Sequence, residues 1–126
     1  MDKKILIVDD EPYLRLLIAR AVQSLEDAGV EILTADDGEA GMEIVREEQP
    51  QLVFLDVMMP KKNGFDVCQT VKHGWGMKDI FIILLTAKGQ EIDKQRGDAA
   101  GANLYMTKPF DPDELLAKAK EILGLP

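Results

Sequence analysis

Short apolar runs alternate along the chain with longer segments in which apolar residues recur every three or four positions. The short runs are typical of buried strands, and the periodic segments are typical of helices with one face against a core. Their regular alternation predicts an α/β fold of five strand–helix units around a parallel sheet. Because the first, third and fourth runs are continuously apolar, we expect interior strands there, covered on both faces. The predicted strands are 4–9, 31–35, 51–56, 80–85 and 103–106.

Turn and capping residues mark the ends of the five predicted helices. Pro12 lies where the first helix begins, a position that suits proline, and Gly29 lies where it ends. Asp111 followed by Pro112 predicts the start of the fifth helix in the same way. Gly97 weakens the fourth predicted helix by about 1 kcal/mol relative to alanine. The predicted helices are 12–28, 38–48, 63–73, 90–100 and 112–123.

The length and the cysteine count indicate one domain without a Cys/His metal site. The chain has 126 residues, 46% of them apolar, so we expect a single domain over residues 1–126. No apolar run approaches the roughly 20 residues that span a bilayer, and the start has no secretory pattern. These features predict a cytoplasmic protein that does not bind membranes. Since Cys68 and His73 are the single cysteine and histidine, any metal ion must be bound by oxygen.

The net charge argues against nucleic acid as a partner. At pH 7 the formal charge is -8, with 23 acidic residues against 15 lysines and arginines. Surfaces that bind nucleic acid are rich in lysine and arginine, because these residues neutralise phosphates. We therefore expect no direct nucleic acid binding by this chain.

Polar residues follow the predicted strands at their carboxyl ends, the edge where open parallel sheets bind ligands. Asp9 ends the first strand and Asp10 follows it, Asp56 ends the third, Thr86 follows the fourth and Lys108 follows the fifth. Clustered aspartates repel one another unless a cation compensates, and Mg²⁺ prefers such oxygen ligands together with phosphate oxygens and water. The set therefore predicts a magnesium site. Each residue alone also has a structural explanation, as a helix N-terminus, turn cap, strand end or loop residue.

Four stretches at this edge carry a family resemblance: ILIVDDEP at 5–12, LDVMMP at 55–60 with NGF at 63–65, LTA at 85–87 and KPF at 108–110. In content, spacing and order they resemble the receiver domain of two-component response regulators. The likeness extends over essentially the whole chain. It implies a flavodoxin-like (βα)5 doubly wound parallel sheet with the strand order 2-1-3-4-5.

The resemblance also assigns roles to the polar residues. It implies that Asp56 is the phosphoacceptor, and a carboxylate can accept a phosphoryl group when a metal ion and a lysine offset the charge. Mg²⁺ is the implied ion, and Mn²⁺ can substitute. By resemblance the metal ligands are Asp9, Asp10, Asp56 and the main-chain carbonyl of Met58, and the phosphoryl contacts are Thr86 and Lys108.

A switch and a phosphate donor are implied as well. After phosphorylation, Thr86 is expected to move inward and Tyr105 to enter the space it leaves, changing the face formed by the fourth helix, fifth strand and fifth helix. Tyr105 has an alternative explanation as a half-buried strand aromatic. The expected donor is a sensor histidine kinase or a histidine phosphotransfer protein. The sequence identifies neither the target nor whether a phosphorylation-dependent dimer forms.

Two other functions share parts of this pattern. Haloacid dehalogenase-type phosphatases also use an aspartate at a strand end with magnesium, but place a second aspartate two residues later as general acid and base. Met58 occupies that position here, so we expect no enzyme, only self-catalysed phosphotransfer and slow autodephosphorylation, tuned by Met58 and Lys88. A flavodoxin-like cofactor-binding module is disfavoured because three carboxylates oppose a flavin phosphate and no Gly-rich phosphate loop is present. A colourless purified protein would exclude a flavin.

The last three residues, 124–126, follow the fifth predicted helix directly. Two interpretations remain open at this point. The chain is either a stand-alone receiver or the excised receiver of a longer regulator. The full coding sequence would distinguish them.

Overall fold

The computed structural model describes residues 2–87, 91–108 and 110–126, and its centre is a five-stranded parallel sheet. The order of the strands across the sheet is second, first, third, fourth, fifth, and each neighbouring pair is parallel. This is the doubly wound, flavodoxin-like arrangement that the family resemblance implies. The strands are β1 (Lys3–Val8), β2 (Val30–Ala35), β3 (Leu52–Asp56), β4 (Phe81–Ala87) and β5 (Leu104–Lys108).

Helices connect the strands, and polar side chains cap three of them. Asp37, Asn63 and Asp111 each accept a hydrogen bond from a main-chain amide in the first turn of the helix that follows. Pro12 and Pro112 lie in first turns, where proline loses no hydrogen bond. The helices are α1 (Pro12–Val22), α2 (Gly38–Glu48), α3 (Gly64–Gln69), α4 (Glu91–Ala100) and α5 (Pro112–Leu123).

Two helices are shorter than predicted. The first is α-helical only to Val22 and continues as a 3₁₀ helix over Gln23–Ala28. The prediction of one α-helix over 63–73 is wrong beyond α3, because Thr70–Gly74 form a π-helical turn. There the amide of Trp75 donates to the carbonyl of Thr70 at 2.7 Å. Hydrogen bonds between main-chain groups decide these turns, and apolar spacing does not distinguish among such helix types.

The fourth and fifth strands extend further at their carboxyl ends than the predicted 80–85 and 103–106. Thr86 is paired in register with Thr107, and Ala87 with Lys108. These last residues keep their strand pairing where the apolar pattern has stopped, since main-chain hydrogen bonds do not require apolar side chains. Thr86 and Lys108 therefore lie within strands and not in the loops that follow.

The sheet separates two apolar cores, because successive side chains of a strand point to opposite faces. In β1, Leu6 and Val8 belong to one core and Ile5 and Ile7 to the other. Cys68 of α3, the single cysteine, is fully buried in the first core, where it packs as a small apolar side chain. Every residue of β3 is buried, as expected for an interior strand, so the strand that ends in Asp56 is rigidly held.

Two sequence predictions fall on residues that the structure does not describe. Lys88, expected to tune autodephosphorylation, and the first residue of the predicted helix 90–100 both lie outside the described ranges. Within those ranges, no helix is long and apolar enough to cross a membrane.

Candidate functional site

The polar residues singled out in the sequence lie at the carboxyl ends of the strands. Asp9 and Asp10 directly follow β1, and Asp56 is the last residue of β3. Thr86 is the penultimate residue of β4, and Lys108 is the last residue of β5. Because β1 and β3 are neighbours at the point where the winding of the sheet reverses, the aspartates stand where open α/β sheets bind ligands.

Three aspartates form a cluster suited to a cation. Asp9, Asp10 and Asp56 each offer a carboxylate oxygen, and these oxygens all lie within 4.8 Å of one another. Asp9 is 0% and Asp56 3% exposed, whereas Asp10 is half-buried. Buried carboxylates this close destabilise one another when ionised, so the cluster needs positive charge nearby.

Lys108 supplies part of that charge. Its Nζ lies 2.9 Å from Oδ1 of Asp56 and 3.5 Å from Oδ2 of Asp9. Burial by itself lowers the pKa of Lys108, but the hydrogen bond and charge of Asp56 and the charge of Asp9 outweigh it and raise the pKa. One ammonium among three carboxylates leaves an excess of negative charge, which a divalent cation with oxygen ligands would balance.

Burial and nearby charges perturb the acidity of Asp56. Burial and repulsion by Asp9 and Asp10 raise the pKa of Asp56 to about 6, although the hydrogen bond and charge of Lys108 act in the opposite direction. A carboxyl group with a strongly raised pKa beside a charged partner marks a candidate functional site. Near neutral pH the group is still mainly ionised and retains its nucleophilic oxygens.

Asp9 is fixed by main-chain and side-chain hydrogen bonds. Its Oδ1 accepts a hydrogen bond from the amide of Glu11 at 2.9 Å. Its main-chain carbonyl accepts one from the guanidinium of Arg15 at 2.7 Å. Arg15 was missed in the sequence, because a bond to a main-chain oxygen requires no particular partner residue and leaves no pattern. These contacts hold Asp9 with its second carboxylate oxygen toward Lys108.

The turn after Asp56 depends on a glycine. The amide of Gly64 donates to the carbonyl of Val57 at 2.9 Å, which closes the loop between β3 and α3. A Cβ at Gly64 would lie 2.5 Å from the main-chain oxygen of Asp56, so a larger residue would displace the strand end. Met58, within this loop, has a side chain that is 67% exposed.

Thr86 and Tyr105 lie on neighbouring strands and face the same side of the sheet. Tyr105 is in register with Leu84, two residues before Thr86, and paired residues in parallel strands point the same way. Thr86 is 9% exposed, and Tyr105 is half-buried, as its alternative explanation predicts.

Tyr105 is bound to α4. Its hydroxyl donates a hydrogen bond to a carboxylate oxygen of Asp98. A Cβ at Gly97 would lie 2.5 Å from Cε1 of the Tyr105 ring. Gly97, interpreted from the sequence only as a weak point of the helix, thus gives the ring its place.

Comparisons with known proteins agree with this geometry. The sequence model of the response regulator receiver domain matches residues 5–120. The alkaline phosphatase synthesis transcriptional regulatory protein PhoP of Bacillus subtilis is 44% identical over 98% of this chain and 49% of its own length. The phosphate regulon transcriptional regulatory protein PhoB of Pseudomonas aeruginosa is 43% identical over 96% of this chain and 52% of its own length. The chain spans about half the length of these relatives.

Solved structures share the fold. CheY4, a chemotaxis response regulator of Vibrio cholerae, superposes with a TM-score of 0.83 at 31% identity, covering 97% of this chain and 99% of that one. DrrB of Thermotoga maritima, an OmpR/PhoB homologue, superposes with a TM-score of 0.80 at 33% identity, covering 98% of this chain and 54% of that one. The chain belongs to the response regulator receiver domain family and is a receiver domain of two-component signalling.

Proposed function

We propose that this receiver accepts a phosphoryl group on Asp56 in a His-Asp phosphorelay and that the reaction depends on Mg²⁺. The observation that carries the proposal is the 2.9 Å contact between Lys108 Nζ and Asp56 Oδ1 within a cluster of three carboxylates. A carboxylate held beside a lysine and a cation site has the parts that phosphoryl transfer to an acidic side chain requires.

The ligands for the ion come from two segments of the chain. Asp9, Asp10 and Asp56 contribute carboxylate oxygens, and Met58 contributes its main-chain carbonyl. An all-oxygen set with excess negative charge fits Mg²⁺, and Mn²⁺ can take its place. An ion held there would offset negative charge on the transferring phosphoryl group.

In the transfer step, a carboxylate oxygen of Asp56 attacks the phosphorus atom of a phosphohistidine. The new oxygen–phosphorus bond forms as the nitrogen–phosphorus bond breaks, and the histidine nitrogen leaves with the electron pair. The ammonium of Lys108 and the hydroxyl of Thr86 bind phosphoryl oxygens. The pKa of about 6 leaves Asp56 mainly ionised near neutral pH, as a nucleophile must be.

The phosphorylated state changes the face formed by α4, β5 and α5. Thr86 moves toward the new phosphoryl oxygens, and Tyr105 leaves its position against α4 for the space beside Thr86. Their shared side of the sheet supports this coupling. A phosphorylation-dependent dimer through the same face is one output that this change can produce.

The phosphate donor is a sensor histidine kinase or a histidine phosphotransfer protein, and it must approach the carboxyl edge of the sheet. Three large apolar side chains are exposed on segments that adjoin the aspartates: Tyr13 (73%) and Leu16 (50%) on α1, and Met58 (67%) in the loop after Asp56. We propose these side chains as the contact surface for the donor, because they lie on the two segments that adjoin the aspartates. Replacing Tyr13 or Leu16 by alanine should slow transfer from a histidine donor and leave labelling by acetyl phosphate unchanged.

A phosphatase of the haloacid dehalogenase type is the weaker candidate. Met58 stands where such an enzyme needs an acid–base carboxylate, and a thioether transfers no proton. The chain therefore acts as a signalling phosphoacceptor over residues 1–126 with slow self-catalysed dephosphorylation, in the cytoplasm. It works either alone or joined to an effector domain of the kind found in its longer relatives.

Incubation with acetyl phosphate and Mg²⁺, followed by intact mass, tests the proposal. The wild type should gain one base-labile phosphoryl group per chain, as an acyl phosphate is, and Asp56→Asn should gain none. Asp27→Asn, an exposed carboxylate in the 3₁₀ helix before β2, at the amino ends of the strands, serves as the matched control and should label like the wild type. Stoichiometric labelling of Asp56→Asn would move the phosphoacceptor to another residue.

A further inference from the structure

The loop that joins β3 to α3, residues 57–63, is held in an unusual conformation. The amide of Lys62 donates to the carbonyl of Pro60 at 2.9 Å, which makes a tight turn. Between them, Lys61 has a φ of 69°, in the left-handed region that lysine rarely adopts. Such a residue keeps its conformation only where the surrounding structure holds it.

The amino end of α2 packs against this turn and holds it. Gly38 is buried, and a Cβ there would lie 2.7 Å from the main-chain oxygen of Lys62 and 3.0 Å from Cγ2 of Val67. Only glycine permits the loop and the helix to approach this closely, because main-chain atoms cannot move aside as the end of a flexible side chain can.

Asp37 ties the same two segments together by its two carboxylate oxygens. Oδ1 accepts a hydrogen bond from the amide of Ala40 at 2.8 Å and caps α2. Oδ2 pairs with Nζ of Lys61 at 3.6 Å. The hydrogen bond from Ala40 and the charge of Lys61 lower the pKa of Asp37. One side chain thus caps the helix and binds the residue with the left-handed backbone.

We propose that Asp37 and Gly38 are positioning residues for the metal site. They hold the 57–63 loop, and thereby the main-chain carbonyl of Met58, at the distance from the aspartate cluster that Mg²⁺ binding requires. Neither residue touches the ion or the phosphoryl group. The inference rests on the proposed function, since it takes Met58 as a ligand of the ion.

Mg²⁺ titration of the unphosphorylated protein, followed by amide NMR, tests this role without reference to phosphorylation. Gly38→Ala should weaken Mg²⁺ binding about tenfold, as loss of a residue that orients a metal ligand commonly does. Gly76→Ala is the matched control. Gly76 has a φ of 69° with no atom within 4 Å of an added Cβ, and it lies in the turn after the π-helical segment, away from the carboxyl edge. The Gly76→Ala variant should lose stability and keep the Mg²⁺ affinity of the wild type.

Two variants that break the Asp37–Lys61 ion pair test the inference even if Gly38→Ala fails to fold. Asp37→Asn preserves the helix cap, because asparagine caps as well as aspartate, and removes the charge that binds Lys61. Lys61→Gln removes the same pair from the other side. If the pair positions the loop, each variant should weaken Mg²⁺ binding about twofold, and the double variant should bind Mg²⁺ no more weakly than either single variant.

If long-range electrostatics alone were at work, Asp37→Asn and Lys61→Gln should change the affinity for Mg²⁺ in opposite directions. Removing the positive charge of Lys61 would then strengthen Mg²⁺ binding, and that result, or wild-type affinity in folded Gly38→Ala, would overturn the inference. Asp9→Asn separates this failure from failure of the proposed function. Wild-type Mg²⁺ affinity in Asp9→Asn would refute the metal site itself, whereas weak binding there with unaffected loop variants would refute only the positioning role.

Discussion

The hydroxyl of Tyr105 on β5 donates a hydrogen bond to the carboxylate of Asp98 on α4. The bond links the strand to the helix on the face proposed to change on phosphorylation. Burial and the hydrogen bond and charge of Asp98 raise the pKa of the tyrosine hydroxyl. Together with the space left by Gly97, the bond defines one position of the Tyr105 ring.

Gly97→Ala should displace the Tyr105 ring from α4. Alanine favours a helix interior over glycine by about 1 kcal/mol, but its Cβ would overlap the ring, which must rotate away. NMR of protein with labelled tyrosine can follow this, since Tyr13 is 73% exposed and serves as an internal reference. An unchanged Tyr105 signal together with a gain in stability would show that the ring does not depend on the glycine.

Asp98→Asn should lower the pKa of Tyr105. The substitution keeps a hydrogen-bond acceptor and removes the negative charge that disfavours tyrosinate, while burial still holds the pKa above its ordinary value. Absorbance titration in a Tyr13→Phe background isolates this hydroxyl, because the chain has two tyrosines. Asp113→Asn, at an exposed site on α5, is the control and should leave the titration unchanged.

Asp56→Asn should stabilise the metal-free protein near neutral pH. The folded-state pKa of about 6 lies above the ordinary aspartate value of about 3.9, so the folded protein binds this proton more tightly than the unfolded chain. The wild type therefore loses stability as pH rises from about 4 to 6, and the variant lacks that loss. Since one pKa unit corresponds to about 1.4 kcal/mol, we expect a gain of about 1–3 kcal/mol.

Urea unfolding of the wild type and Asp56→Asn across this pH range measures the gain. The difference between their free energies of unfolding should grow between about pH 4 and 6 and stay constant above. Asp27→Asn controls for the loss of one carboxylate. A difference that is constant over the whole range would mean that Asp56 ionises as readily in the folded protein as in the unfolded chain.

Mg²⁺ should oppose this difference in stability. An ion that binds only the folded state at a concentration 100 times its dissociation constant raises the free energy of unfolding by about 2.7 kcal/mol. Wild-type protein should gain stability of this order, and Asp56→Asn and Asp9→Asn should gain much less because each loses a charged ligand. Equal gains in all three proteins would place the ion elsewhere.

Thr86→Ala should separate phosphorylation from the switch. The variant should still accept a phosphoryl group from acetyl phosphate, yet the Tyr105 resonance should no longer change on phosphorylation, because the hydroxyl that joins the two is missing. Thr86→Ser retains that hydroxyl and should restore the change. A wild-type shift of Tyr105 in phosphorylated Thr86→Ala would rule out this relay.

Apolar patterning was sufficient to predict where strands and helices occur. The continuous apolar runs that become β1, β3 and β4 correspond to strands covered on both faces. Apolar patterning failed at the ends of β4 and β5, where pairing between strands decides the structure. It also failed after Gln69, where local main-chain hydrogen bonds form the π-helical turn. Burial of Lys72, whose Nζ donates to the carbonyl of Lys78 at 3.1 Å, had no signal in the sequence either.

The sequence by itself determined the order of the elements and the edge of the sheet that collects the polar residues, since both follow from local composition and spacing, and its motifs carried the family resemblance. Only the tertiary structure decided which atoms meet. Lys108 reaches Asp56 across 52 positions of chain, Tyr105 finds Asp98, and Gly38 lies against Lys62. These contacts require segments that are remote in the chain to be placed relative to one another within a few tenths of an ångström. Strand spacing and side-chain packing set that placement, and no local pattern of residues encodes it.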